Sequence, residues 1–142
     1  MNQIESIISD WPGVMVKSHE RGGGREFILD GREIGHVHHG QLVDIPFAKR
    51  IRDVLIEEGR AQKHHVLPDS GWISYRVRSD QDVDRAVWLL RVSYLYHLLA
   101  LRKRKEEHPA GDAIEIDVAL AELDMSDALE HMFSDLRDMN EW

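Results

Sequence analysis

The chain has 142 residues, 42% of them hydrophobic and 31% charged, with nine histidines, no cysteine and a formal net charge of −8. That length suits one domain with a real core, and the missing cysteines exclude a disulfide frame, a thiolate metal site and a cysteine nucleophile. No apolar run approaches the ~20 residues of a membrane span, and the charge is uneven: from Asp112 onward ten acidic residues face Arg137 alone, leaving a near-neutral body with no electrostatic footprint for nucleic acid.

The opening Met-Asn-Gln-Ile-Glu-Ser lacks the basic-then-apolar pattern of a secretory signal, so a cytoplasmic protein with neither membrane nor nucleic-acid partner is expected. Ile4, Ile7, Ile8 and Trp11 predict a short amphipathic helix stopped by Pro12-Gly13, and Val14–Val16 a strand. The glycine run between Arg21 and Arg25 reads as a flexible turn. It is no phosphate cradle, because a strand rather than a helix follows it.

Arg25–Leu29 and Arg32–His38 form the next expected pair of strands, joined by Asp30-Gly31, which favours positive φ at both turn centres. With Leu29 opposite Arg32, Phe27 faces Ile34 and Arg25 faces His36. Strict alternation then gathers Phe27, Leu29, Ile34, His36 and His38 on one face, with Glu26, Glu33 and His39 on the other. Leu42–Ile45 reads as a third antiparallel strand. A two-residue His39-Gly40 turn pairs His36 with Val43, whereas a three-residue turn pairs it with Asp44. Pro46 closes that strand, and Phe47, Ile51, Val54 and Leu55 mark a helix ending near Gly59.

A second hairpin is expected from Lys63–Leu67 and Trp72–Val77 across Pro68–Gly71. Leu67 opposite Trp72 puts His64 with Val66, Ile73, Tyr75 and Val77. His65 then shares a face with Trp72, Ser74 and Arg76, a mixture suited to a pocket wall. Ser79-Asp-Gln-Asp82 starts the longest helix, which runs to about Lys105 and is apolar on two sides. The sheet should lie on one side, and the terminal segment or a second subunit on the other. The basic run 102–105 offsets the helix dipole and the acidic tail. His108–Gly111 reads as a linker, and Met125, Leu129, Met132, Phe133 and Leu136 as a final amphipathic helix. The fold expected is a single α+β domain with an antiparallel sheet of about five or six strands under a long helix. Its α+β body spans 1–108, and an acidic helical extension spans 109–142.

Three readings of the histidines compete. His36 and His38, with one of His64 and His65, could form a polar cluster in an apolar cleft, one imidazole acting as general base. The H-x-H pair, its Cα atoms about 7 Å apart on one strand face, could instead hold a divalent metal with Asp44 as the oxygen donor. With no convincing third and fourth ligand, a metal-free site is preferred. In the plainest reading the histidines are satisfied polar residues bridging strands. Asp44, Trp72, Ser74 and Arg76 are the candidate substrate contacts.

The segments Arg32–His38, Leu42–Asp44, Glu57–Gly59 and Lys63–Trp72 together resemble the luciferase-like domain family, which includes many short bacterial proteins and is related to the fungal luciferases. The resemblance spans roughly residues 10–100. It implies a cofactor-independent oxygenase, without flavin or metal, in which His36, His38 and His64 or His65 carry the chemistry on a hydroxy-aromatic or enol substrate. The alternative is a non-enzymatic binding or oligomerisation module, homodimeric through the long helix or the C-terminal segment.

Overall fold

Asp30 and Gly31 both take positive φ, 47° and 85°, as a two-residue hairpin turn of the expected kind requires. The strands on either side, β2 (Gly24–Leu29) and β3 (Arg32–Val37), are the first landmark of the computed structural model, which describes residues 2–19, 24–38, 41–103 and 115–138. The expected turns at 21–23 and 39–40, residues 104 and 105 of the basic run and the 108–111 linker lie outside the described residues.

Around that hairpin the chain runs α1 (Asn2–Ser9), β1 (Val14–His19), β2, β3, β4 (Leu42–Pro46), α2 (Lys49–Glu57), β5 (Gln62–Lys63), β6 (Trp72–Arg76), α3 (Asp80–Lys103), α4 (Ile116–Glu122) and α5 (Asp127–Asp138). The six strands form one antiparallel sheet in the order β1-β2-β3-β4-β6-β5. This is the α+β class expected, with the long helix laid against β2, β3 and β4. No helix among the described residues is long and apolar enough to cross a membrane.

The pairing of β2 with β3 departs from strict alternation. Leu29 faces Arg32 and Ile28 faces Glu33, but Phe27 then faces Gly35, so Ile34 is an extra residue in a β-bulge. Ile34 is fully buried, and its carbonyl accepts a hydrogen bond from Ser93 Oγ of α3 at 2.7 Å. Gly35 also points at α3, so closely that a Cβ there would lie 2.6 Å from Leu90 Cδ2. Two consecutive residues therefore face the helix, and every later side chain of β3 changes sides. Glu26, not Arg25, lies opposite His36. The expectation that His36 and His38 share a face with Ile34 is thus overturned. They emerge beside Glu33 on the sheet face turned away from α3.

The β3–β4 connection resolves to the three-residue alternative, pairing His36 with Asp44 and Val37 with Val43. The second hairpin is shorter than expected. Only Gln62 and Lys63 pair with β6, opposite Ser74 and Ile73, so His64 and His65 sit just beyond the strand, and Leu67 does not oppose Trp72. The amides of Val66 and Leu67 instead donate to His64 Nδ1 at 3.1 and 3.0 Å.

Helix α3 begins as read, with Ser79 Oγ accepting from the Asp82 amide at 3.2 Å. Its Leu90, Tyr94, Leu98 and Leu101 are buried on one side, and Val92, Leu95 and Leu99 on another. The second side is covered by the same chain. Helix α4 lies along α3, and the Trp88 indole N–H donates to the Leu123 carbonyl at 2.9 Å. The apolar stripe of α5 goes elsewhere than expected: it packs against α2, burying Leu129, Phe133 and Leu136, with Arg50 and Asp135 paired at 3.1 Å alongside.

Candidate functional site

Asp44 is the only residue of β4 that is both fully buried and charged. Its Oδ1 accepts from Ser74 Oγ at 2.6 Å, directly across the β4–β6 pair. Its Oδ2 lies 3.2 Å from His36 Nε2, 2.7 Å from His38 Nε2, 3.3 Å from His64 Nε2 and 3.2 Å from His65 Nε2. Four imidazoles thus converge on one carboxylate oxygen. The structure brings both members of the second histidine pair to this point, rather than one of them.

Three local features produce the convergence. The bulge turns His36 and His38 outward, and the β3–β4 register sets His36 level with Asp44. The segment 64–71 then folds over the same sheet face. It is held there by Arg52 of α2, whose Nη1 donates to the Pro68 and Ser70 carbonyls at 3.2 and 2.5 Å, and by the Phe47 amide, which donates to the Gly71 carbonyl at 3.1 Å. The His64 and His65 rings stack with centroids 4.4 Å apart.

Each ring has a distinct electrostatic situation. His36 presents Nδ1 to Glu33 Oε2 at 2.5 Å and Nε2 to Asp44. Burial alone would lower its pKa, but the hydrogen bonds to Asp44 and Glu33 and their charges outweigh it and raise the value to about 9. Burial would raise the Asp44 pKa, yet the hydrogen bonds from His36, Ser74 and His38 hold it well below the usual carboxylate range. Burial pushes the His64 pKa down, and the Asp44 charge only partly offsets it. Because its Nδ1 accepts two backbone amides, its Nε2 carries the ring proton.

Of the other expected contacts, Trp72 flanks the cluster, its ring 5.3 Å from His36 and 6.0 Å from His64. Ser74 serves Asp44 directly. Arg76 is exposed and lines a cleft of about 220 Å³ with Arg60, Tyr75 and Asp82, which opens beside Ser74. Glu33 escaped the sequence reading, which set it on the opposite face. The lone Gly35 within the strand was the available signal of a bulge.

Comparison with known families matches residues 31–93 to the Luciferase domain. Over that stretch the chain is similar to a luciferase domain. The match starts at the turn before β3 and ends within α3, so it encloses the whole His–Asp cluster. Neither the curated proteins nor the solved structures gave a match. Glu33 also falls inside the matched segment, whereas α4 and α5 lie beyond it.

Proposed function

We propose that the luciferase-like domain is an oxygenase acting on an electron-rich hydroxy-aromatic or enol, with the Asp44-centred cluster as its reacting site. The observation that carries this reading is the convergence of His36, His38, His64 and His65 on Asp44 Oδ2. Structural histidines bridging strands have no need to share one acceptor.

His65 is the base in this reading. It is the most exposed of the four, with 43% of its side chain accessible, and its Nε2 is directed at Asp44. A carboxylate holding one ring N–H orients the imidazole and stabilises the imidazolium that forms, leaving Nδ1 as the proton acceptor. His65 Nδ1 takes the hydroxyl proton of the substrate. The resulting enolate carbon gives two electrons to molecular oxygen as the C–O bond forms, and the peroxide anion takes the proton back from His65 to give a hydroperoxide. His64 Nε2–H is placed to donate to the developing oxyanion, and the Trp72 ring supplies a flat wall for an aromatic substrate.

Oxygen uptake with a panel of hydroxypyrones and catechols tests this. His65→Ala, at an exposed position, should fold normally and lower turnover by about 10²-fold or more. Equal uptake by wild type, His65→Ala and Asp44→Asn would reject the site. Substrate binding without any oxygen uptake would leave a binding module in its place.

A further inference from the structure

We infer that His36, His38 and Asp44 form the facial ligand set of a divalent transition-metal site, with Glu33 and Ser74 as its supporting hydrogen-bond partners. This deepens the proposed function and rests on the same cluster.

The first argument is crowding. A carboxylate oxygen offers about two acceptor positions, yet four ring nitrogens lie within 3.3 Å of Asp44 Oδ2, one of Asp44's oxygens being already engaged by Ser74. His36 Nε2 and His38 Nε2 are also 3.1 Å apart. If both carried hydrogens directed at Asp44, those hydrogens would confront each other. At least one nitrogen must present a lone pair, and a cation among the three atoms would satisfy all of them.

The second argument is distance. Metal–nitrogen and metal–oxygen bonds of about 2.1 Å, at octahedral to tetrahedral angles, separate neighbouring ligand atoms by about 3.0–3.4 Å. Two of the three edges, 3.1 and 3.2 Å, fall in that range, and the third, 2.7 Å between His38 and Asp44, would lengthen as an ion entered. All three ligand atoms belong to neighbouring positions of two paired strands, a rigid frame for such a site.

The third argument is the supporting shell. A ligating histidine ordinarily donates its other ring N–H to a carboxylate, which fixes tautomer and orientation. His36 does so to Glu33, and its Nε2 reaches the metal by giving up the proton it directs at Asp44, the ring staying neutral through its Nδ1–H. Ser74 holds Asp44 Oδ1, so that Oδ2 faces the ring nitrogens.

The same reasoning separates ligands from bystanders. Asp44, His64 and His65 also lie close enough to hold an ion, but His64 spends its Nδ1 lone pair on two backbone amides. Its Nε2 therefore carries the neutral ring's only proton and could ligate only as an imidazolate. His64 remains a donor and His65 a base, both beside a metal with two nitrogens, one oxygen and open positions. That donor set suits Fe(II), and also Co(II), Mn(II) or Zn(II).

The test uses the full-length chain without a histidine tag, stripped with chelator and titrated with Co(II). Visible d–d absorption and elemental analysis after dialysis should give one metal per chain. His38→Ala and Asp44→Asn should abolish the saturable signal. Glu33→Gln should weaken binding by about 10–100-fold, and His64→Ala should leave stoichiometry intact. His38 is only partly buried, so its variant keeps the test usable if Asp44→Asn fails to fold. No saturable Co(II) binding, or binding indifferent to His38→Ala, overturns the metal site. So does binding lost in His64→Ala but kept in His38→Ala. Loss of oxygen uptake in His65→Ala without metal binding would leave the acid–base site standing. One Co(II) per chain without turnover would leave the metal site and remove the oxygenase.

Discussion

His97 shows how a single imidazole differs from those of the cluster. It is buried on α3, accepts from Arg32 Nε at Nδ1 and donates from Nε2 to the Pro46 carbonyl, both at 3.2 Å, with the Tyr96 ring 4.8 Å away. Burial, then the Arg32 charge, lowers its pKa to about 4 despite the Pro46 carbonyl. An unfolded histidine binds a proton below about pH 6.5, whereas the folded one stays neutral until about pH 4. Between those limits the unfolded state holds more protons, so stability must fall as pH falls, by up to ~1.4 kcal/mol per pH unit from this residue. Urea unfolding at pH 7 and pH 4.5 should therefore show a steeper acid loss in wild type than in His97→Gln, which keeps a donor and an acceptor. Equal acid sensitivity would show that His97 is not held neutral by its surroundings. The contrast with His36 lies in the neighbours: two carboxylates around His36, a guanidinium beside His97.

Among the elements, the loop that carries His64 and His65 is the part most dependent on backbone contact. A Cβ at Gly71 would lie 1.8 Å from the Phe47 carbonyl oxygen, a backbone atom that cannot swing away. Gly71→Ala should cost about 1–3 kcal/mol or more, and it should loosen segment 64–71 while the β2–β3 hairpin keeps its amide protection. Hydrogen exchange resolved by segment checks this; uniform protection across both regions would contradict it. How far such elements could be read from sequence varied with the physics that formed them. The Asp30-Gly31 turn and the two-sided α3 were legible because each follows from local chemistry or periodicity. Asp44 opposite His36 was visible as one of two registers, with turn length undecided. The His64–Leu67 strand was misread because the His64 side chain takes the Val66 and Leu67 amides that a ladder would have used. The bulge at Ile34 is met by Ser93, 59 residues away, whose hydroxyl donates to the stray carbonyl, and no local pattern encodes that.

At the scale of the whole molecule, the acidic terminal segment reaches the site through a chain of contacts. Ser126 Oγ donates to Glu58 Oε2 at 2.5 Å and Arg50 pairs with Asp135, tying α5 to α2, while Arg52 of α2 holds the Pro68 and Ser70 carbonyls. Arg137 pairs with Asp117, joining α5 to α4. Ending the chain after residue 114 should expose Trp88, Leu55 and the second side of α3. The buried side chains of α4 and α5 contribute several kcal/mol at roughly 25 cal/mol per Å². A lower melting temperature, a red-shifted tryptophan emission and a tendency to aggregate are expected. An unchanged melting temperature and emission maximum would show that the two terminal helices contribute nothing to the body.

The bulge at Ile34 and Gly35 also bears on how such a domain can change over generations. Because strand side chains alternate with a period of two, a chain of the same length that paired here without the bulge would swing both histidines of β3 toward α3. A lineage could then abandon its chemistry while keeping every histidine in its gene. Counting motif residues would not tell such a descendant from an active one; whether glycine still stands at position 35, against Leu90, would.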